Sequence, residues 1–198
     1  ALMVKHANET GIALPDRQLA CAYLNSGRGK NYLAAMACGA NYAWANRQVL
    51  MHKTREVFEK TLRMSPREVN MKLVYDVCHN IAKIESFNIG GVLKKLCVHR
   101  KGATRAFPAG HEAVPERYRK IGQPVLIPGD MGSGSFVLVG QEKAMTETFG
   151  SACHGAGRVM SRSQAIKSSR GRSIARELSA KGVLVMACSK GTLNEEMP

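Results

Sequence analysis

Long apolar runs are missing from this sequence. None approaches the roughly 18 residues that a membrane-spanning helix requires, so an α-helical membrane span is excluded. The opening stretch ALMVKHANETGIALPDRQ is too short and too interrupted in its apolar part to read as a signal peptide. No C-x-x-C pair occurs among the six cysteines (Cys21, Cys38, Cys78, Cys97, Cys153, Cys188). That scatter excludes a compact disulfide framework and fits reduced thiols in the cytoplasm. Acidic residues are scarce, 15 Asp and Glu against 29 Lys and Arg, for a net charge of +14. So large an excess, with no tail of continuous like charge, points to a folded basic surface and an anionic partner, with nucleic acid first. Internal repeats and low-complexity segments are absent as well.

What is present suits a folded domain. Hydrophobic residues make up 44% of 198, enough for a sizeable core. Pro15 and Asp16 predict a short helix over Leu14 to Leu24, broken by LNSGRGK. Ser26 caps the next helix, which runs from about Lys30 to Leu62 on a stripe of Leu33, Met36, Ala37, Ala40, Ala43, Trp44 and Arg47. Ser65 and Pro66 open one further turn. From Lys72 the texture turns β-rich, and FNIGG reads as a hairpin turn between two strands. QPVLIPGDMGSGSFVLVG reads as strand, Gly-rich loop, strand. Helical periodicity returns after Gly157, and Gly182 is a left-handed cap before a strand VLVMA. The expected class is α+β with mostly antiparallel sheets. The expected division is a mainly helical 1–70, a β-rich 71–157, and helix and strand over 158–198.

Four stretches could carry chemistry. In GSACHGAGRVMSR, glycines after His154 let a phosphate approach the backbone, and Arg158 and Arg162 are spaced to share one helix face. A neutral imidazole there can attack phosphorus, while the bland alternative is a hydrogen-bonded histidine at a glycine-rich helix entry. PGDMGSGS suits a phosphate or nucleoside cradle, or an ordinary long hairpin; it is not a P-loop, because no G-K-[ST] follows. Cys78-His79-Asn80 offers ligand types for a borderline metal, but adjacent strand residues face opposite ways, and on spacing alone a structural histidine fits better. HRKGATR gathers His99, Arg100, Lys101 and Arg105 as a phosphate-binding cluster or a solvated turn.

Taken together, PDRQLACAYLNS…NYAWANRQ, YDVCHNIAKIE, VHRKGATRAFP, GQPVLIPGDMG and TETFGSACHGAGRVMSR, in this order, resemble the RtcB family of RNA ligases, the tRNA-splicing ligases. The resemblance covers nearly the whole chain but only the C-terminal part of the family. It implies an enzyme that uses GTP and Mn²⁺ to join RNA 3′-phosphate or 2′,3′-cyclic phosphate ends to 5′-hydroxyl ends, in tRNA splicing or RNA repair. It implies guanylylation of His154, manganese ligation by His79, and Asn80 near the guanylate. Pro128, Gly129, Asp130, Met131 and Ser135 would line the nucleotide pocket with His154, Gly155, Ala156 and Gly157. Arg100, Lys101 and Arg158 would hold RNA or substrate phosphates.

The departures from the family pattern bear on activity. The other metal ligands of the family belong to an N-terminal half not contained here. The chain stops at NEEMP without the family's closing Lys, and SGRGK replaces a more acidic helix start. Asp130 stands where a small hydroxyl residue is expected and would place an anion beside the guanylate. The chain therefore reads as part of a ligase that needs its N-terminal half for a complete metal site. The alternative is a catalytically incomplete RNA-binding fragment of such a ligase.

Overall fold

A computed structural model describes residues 2–155, 159–187 and 189–195. The chain clusters into two units, 1–76 and 77–198.

The first unit is helical: α1 (Leu2–Glu9), α2 (Gly27–Leu62) and α3 (Pro66–Val69). Ser26 accepts from the Gly29 amide at 3.0 Å and starts α2 where its glycines alone would not. The long helix ends at Arg63, which takes the left-handed conformation at φ 55°. Leu33, Met36, Ala40, Ala43 and Arg47 are half-buried, so the three-to-four stripe is real; Ala37 and Trp44 lie outside it and are exposed. Arg47 pairs with Asp76 at 2.6 Å, and Arg55 donates to the Met71 carbonyl at 3.1 Å. These bonds tie the segment after α3 back along α2. The expected helix over Leu14 to Leu24 is only a single 3₁₀ turn, Arg17–Leu19, capped by Asp16. A lone cap cannot offset the cost of helix nucleation when the stretch has no buried apolar stripe.

The second unit runs β1 (Asn80–Ile89), β2 (Val92–Lys101), β3 (Ala103–Arg105), α4 (Glu116–Arg119), β4 (Pro124–Ile127), β5 (Phe136–Val139), α5 (Glu142–Glu147), β6 (Ser151–Cys153), α6 (Arg162–Ser168), α7 (Ile174–Ala180) and α8 (Lys190–Glu195). The strands pair antiparallel as β1–β2, β3–β6 and β4–β5, so the class is α+β as expected. Gly90 and Gly91, at φ 60° and 82°, make the two-residue turn between β1 and β2. The expected strand at 183–187 is irregular chain without a ladder partner. β-branched composition alone does not make a strand where no sheet edge is offered.

Phe87, Phe107 and Val114 form the buried core, with Leu96, Val98, Tyr118 and Met145 packed around them. Phe87 meets the rings of Phe107 and Phe149 edge-on, at 6.3 and 5.5 Å. Gly150, at φ 60°, faces this core so closely that a Cβ would overlap the Phe107 ring and crowd the Met145 sulfur at 2.9 Å. Gly150→Ala combines overpacking with left-handed strain, so it should cost about 2–4 kcal/mol, read as a lowered urea midpoint at unchanged slope. An unchanged midpoint would show that the loop before β6 moves freely.

Candidate functional site

The two histidines singled out in the sequence lie far apart along the chain and meet through one glycine. β1 pairs with β2 up to Asn80 opposite Lys101, and β3 pairs with β6 from Ala103 opposite Cys153. Gly102 joins the two ladders at φ 66°, a conformation that suits glycine. Its amide donates to the His79 carbonyl at 2.9 Å, and its carbonyl accepts from the His154 amide at 3.0 Å. The backbone thus holds His79 and His154 in one row, and their rings stack at 3.8 Å between centroids and 7° between planes. Nδ1 of His154 is sealed from solvent with no hydrogen-bond partner. The ring is only partly buried, so a reagent approaches through its other edge, which carries Nε2.

The Gly-rich loop lies against this row. A Cβ on Gly155 would stand 3.2 Å from the Pro128 carbonyl oxygen, so glycine there allows the close approach. The Gly129 amide donates to Ser135 Oγ at 3.1 Å, and the Asp130 amide donates to Ser133 Oγ at 3.1 Å. Asp130 Oδ1 accepts from the Gly132 amide at 2.7 Å and from the Ser133 hydroxyl at 3.0 Å. The carboxylate is therefore turned onto its own loop in an Asx-type turn. These bonds, the Gly132 amide first, hold its pKa below the ordinary carboxylate value of 3.8. Met131 lies with Asp130, Gly132, Ser133 and Gly134 on one wall of an open cavity of about 630 Å³, opposite Val183 to Met186. A carboxylate with a lowered folded pKa contributes order above its unfolded pKa and loses it as the pH falls through the folded value. The protection of the Gly132 amide, measured against its intrinsic exchange rate, should fall as acid titrates the Asp130 carboxylate, and in Asp130→Ala it should be low at every pH. Protection that ignores both changes would remove this role.

The cationic residues separate. Lys101 is exposed, on the outward face of β2. Arg100 points inward and is 2% exposed. Its guanidinium donates to Glu85 Oε2 at 2.7 Å, to Ser151 Oγ at 2.9 Å and to the Phe149 carbonyl at 2.9 Å. Strand alternation puts Arg100, expected at an RNA phosphate, in the interior beside Glu85, while Lys101 stays on the surface. Arg105 pairs with Glu85 at 3.6 Å and lies over the Phe107 ring at 4.8 Å. Ala156, Gly157 and Arg158 lie outside the described residues. α6 opens at Arg162 behind its cap Ser161, and Arg162 pairs with Glu195 at 2.6 Å.

Lys83 stands out in no motif, and Glu85, six residues after His79, has no role assigned by its motif. Both share the inward parity of Phe87 on β1, which is the signal that could have found them.

Cys78 and His79 precede β1, so opposite strand faces do not govern them. Among the described residues no group of three or more His, Cys, Asp or Glu side chains could hold a metal ion. Parallel stacked imidazoles also direct their nitrogens along separate planes and do not converge well on one ion. The described residues do not by themselves make a complete metal site. Every cysteine among the described residues is a free thiol, and no helix there is long and apolar enough to cross a membrane.

The family model for tRNA-splicing ligase RtcB matches residues 1–198. The tRNA-splicing ligase RtcB of Archaeoglobus fulgidus is 58% identical over 188 residues, covering 95% of this chain and 39% of that protein. Its namesake from Methanococcus maripaludis is 55% identical over 196 residues, 99% of this chain and 41% of that protein. The one from Methanocaldococcus jannaschii is 53% identical over 197 residues, all of this chain and 20% of that protein. The chain thus spans about two fifths or less of the length of these relatives, and with a match along its whole length it belongs to the RtcB family.

Proposed function

We propose that this chain carries the nucleotidyl-transfer part of a cytoplasmic RNA ligase. The ligase joins RNA 3′-phosphate or 2′,3′-cyclic phosphate ends to 5′-hydroxyl ends in tRNA splicing or RNA repair, using GTP and Mn²⁺. The observation that carries this reading is His154, fixed by Gly102 beside His79 with its Nδ1 sealed and the 128–135 loop against Gly155. Family membership supplies the reaction class.

In this reading His154 Nε2 attacks the α-phosphorus of GTP. A phosphorus–nitrogen bond forms and pyrophosphate leaves. The RNA 3′-phosphate then displaces the imidazole, taking the guanylyl group into a phosphoanhydride. The 5′-hydroxyl attacks the activated RNA phosphate, a phosphodiester forms and GMP leaves. The covalent intermediate splits one difficult ligation into separate displacements, and guanylylation turns the RNA phosphate into an anhydride from which GMP leaves readily. Asn80, Pro128, Gly129, Asp130, Met131 and Ser135, with His154 to Gly157, are the nucleotide-facing residues. Lys101 and Arg158 are the cations left for RNA phosphates. His79 offers manganese one imidazole, and the remaining ligands must come from the part of the relatives' length that this chain does not span.

Labelling with GTP carrying radioactive α-phosphate tests the reading, using the chain joined to the unmatched part of the Archaeoglobus fulgidus relative. A covalent adduct is expected, and its absence would count against the nucleophile assignment. The lack of a three-ligand set among the described residues favours a second reading for the chain by itself, an RNA-binding fragment without ligation. Its RNA affinity should fall on the order of tenfold or more between about 50 and 200 mM salt, as phosphate contacts release counterions. A flat salt titration would refute the electrostatic surface.

A further inference from the structure

The inward face of β1 carries more positive charge than it balances. Ile81, Lys83, Glu85 and Phe87 alternate onto this face, and Arg100 and Arg105 reach it from β2 and β3. Glu85 is the one carboxylate among the described residues there. It serves Arg100 at 2.7 Å and Arg105 at 3.6 Å. Arg105 is further satisfied by Gln123 Oε1 and the Ala113 carbonyl. Lys83 receives nothing comparable: half-buried, its ammonium makes no hydrogen bond or ion pair among the described residues. Burial and then the Arg105 guanidinium lower its pKa from the ordinary lysine value, with Glu85 and Cys78 opposing. Cys78, the neighbour of His79, is thus within electrostatic reach of the same ammonium.

A cation without a partner in a half-buried place is costly, and a methionine of similar volume would pack there without that cost. Residues that oppose stability in this way recur at binding sites, where the ligand supplies the missing charge. The position is suited to that role. Lys83 lies four residues along the chain from His79, and Cys78, the residue before His79, is within electrostatic reach of its ammonium.

We propose that the Lys83 ammonium, backed by Arg105 and Arg100, receives a phosphate monoester brought to the His79–His154 row. The monoester is either the 3′-phosphate of an RNA end or the phosphate of a guanosine nucleotide. The identity of the ligand rests on the ligase reading; the existence of the phosphate subsite does not.

The test uses this chain and Lys83→Met. A lowered ammonium pKa means that the folded state binds the proton less tightly than the unfolded chain. The charged form therefore opposes folding. Lys83→Met should melt at or above the wild-type temperature in chloride. In inorganic phosphate at matched ionic strength, the wild type should gain thermal stability and Lys83→Met should not. Two further arms separate the sources: a short RNA ending in a 3′-phosphate against the same RNA ending in a 3′-hydroxyl, and GMP against guanosine. One charge-assisted contact predicts about a tenfold preference for the phosphorylated member in the arm that is the source. Lys83→Met should erase it, while Lys101→Met should weaken both RNAs alike. A Lys83→Met protein that melts lower in chloride would make Lys83 a structural counter-ion of Glu85 and overturn the proposal. A retained phosphate preference in Lys83→Met, or a wild type indifferent to phosphate, would overturn it too. Failure of His154 to take a guanylyl label leaves all these readings unaffected, so the two ideas fail separately.

Discussion

His154→Ala is expected to remove the covalent guanylate completely from the chain joined to the rest of a relative, while leaving its thermal unfolding unchanged. The loss is total because a nucleophile has no partial substitute, and removing it also removes the only route to the later displacements. Stability should hold because the side chain makes no hydrogen bond through its sealed Nδ1 and is no part of the Phe87–Phe107 core. The bond chemistry adds an independent check. Protonation makes imidazole a good leaving group, so the wild-type adduct should be lost in mild acid and survive alkali. A serine or threonine ester would behave oppositely in acid. His99→Ala should keep the label, because His99 lies on the outward face of β2, 3.9 Å from the Cys97 sulfur. Label that persists in His154→Ala, or an adduct stable to acid, would place the nucleophile elsewhere.

Glu85→Ala should unfold or nearly unfold the second unit. Arg100 and Glu85 have side chains only 1% and 9% exposed, and Glu85 faces Arg105 as well. Removing one partner of a buried pair leaves an uncompensated charge and costs about 3–5 kcal/mol, a large share of the roughly 5–15 kcal/mol that holds a typical domain together. The double change Glu85→Met with Arg100→Met removes both charges together and should be far milder than the single changes add up to. Urea midpoints of the two singles and the double give the coupling directly. A Glu85→Ala midpoint close to wild type would show that water reaches the cluster and screens it. This test also reads how firmly Arg100 depends on Glu85, since an arginine on an open surface would tolerate the loss.

Local chemistry was legible wherever a few adjacent residues decide the outcome. Ser26 caps α2, Pro66 opens α3, and Gly90-Gly91 turns the β1–β2 hairpin, because each works within one turn of backbone. The half-buried stripe on α2 follows from 3.6 residues per turn, and the charge of +14 needs only counting. The motif order, too, sufficed to place the chain in its family. Residues 14–24 and 183–187 depart from expectation for the complementary reason: their composition suits a helix and a strand, but neither has the packing partner that would make one.

What the linear pattern could not decide is which residues meet and which face is the inside. β2 reads VLKKLCVHRK, with polar residues on both parities, so nothing in it says that Arg100 turns inward and Lys101 outward. That choice is made by the aromatic core across the hairpin, where Phe87 sets the inward parity of β1 and the β1–β2 register carries it to Arg100. The stacking of His79 on His154 was equally out of reach, since it depends on Gly102 taking φ 66° and bonding both backbones at once. Asp130 shows the same division on a small scale. Its charge is plain in the sequence, but the direction of its carboxylate is set by the amide of Gly132 and the hydroxyl of Ser133 within the folded loop. A residue's type fixes what chemistry it offers; hydrogen-bond satisfaction and burial across the tertiary fold decide where that chemistry is aimed.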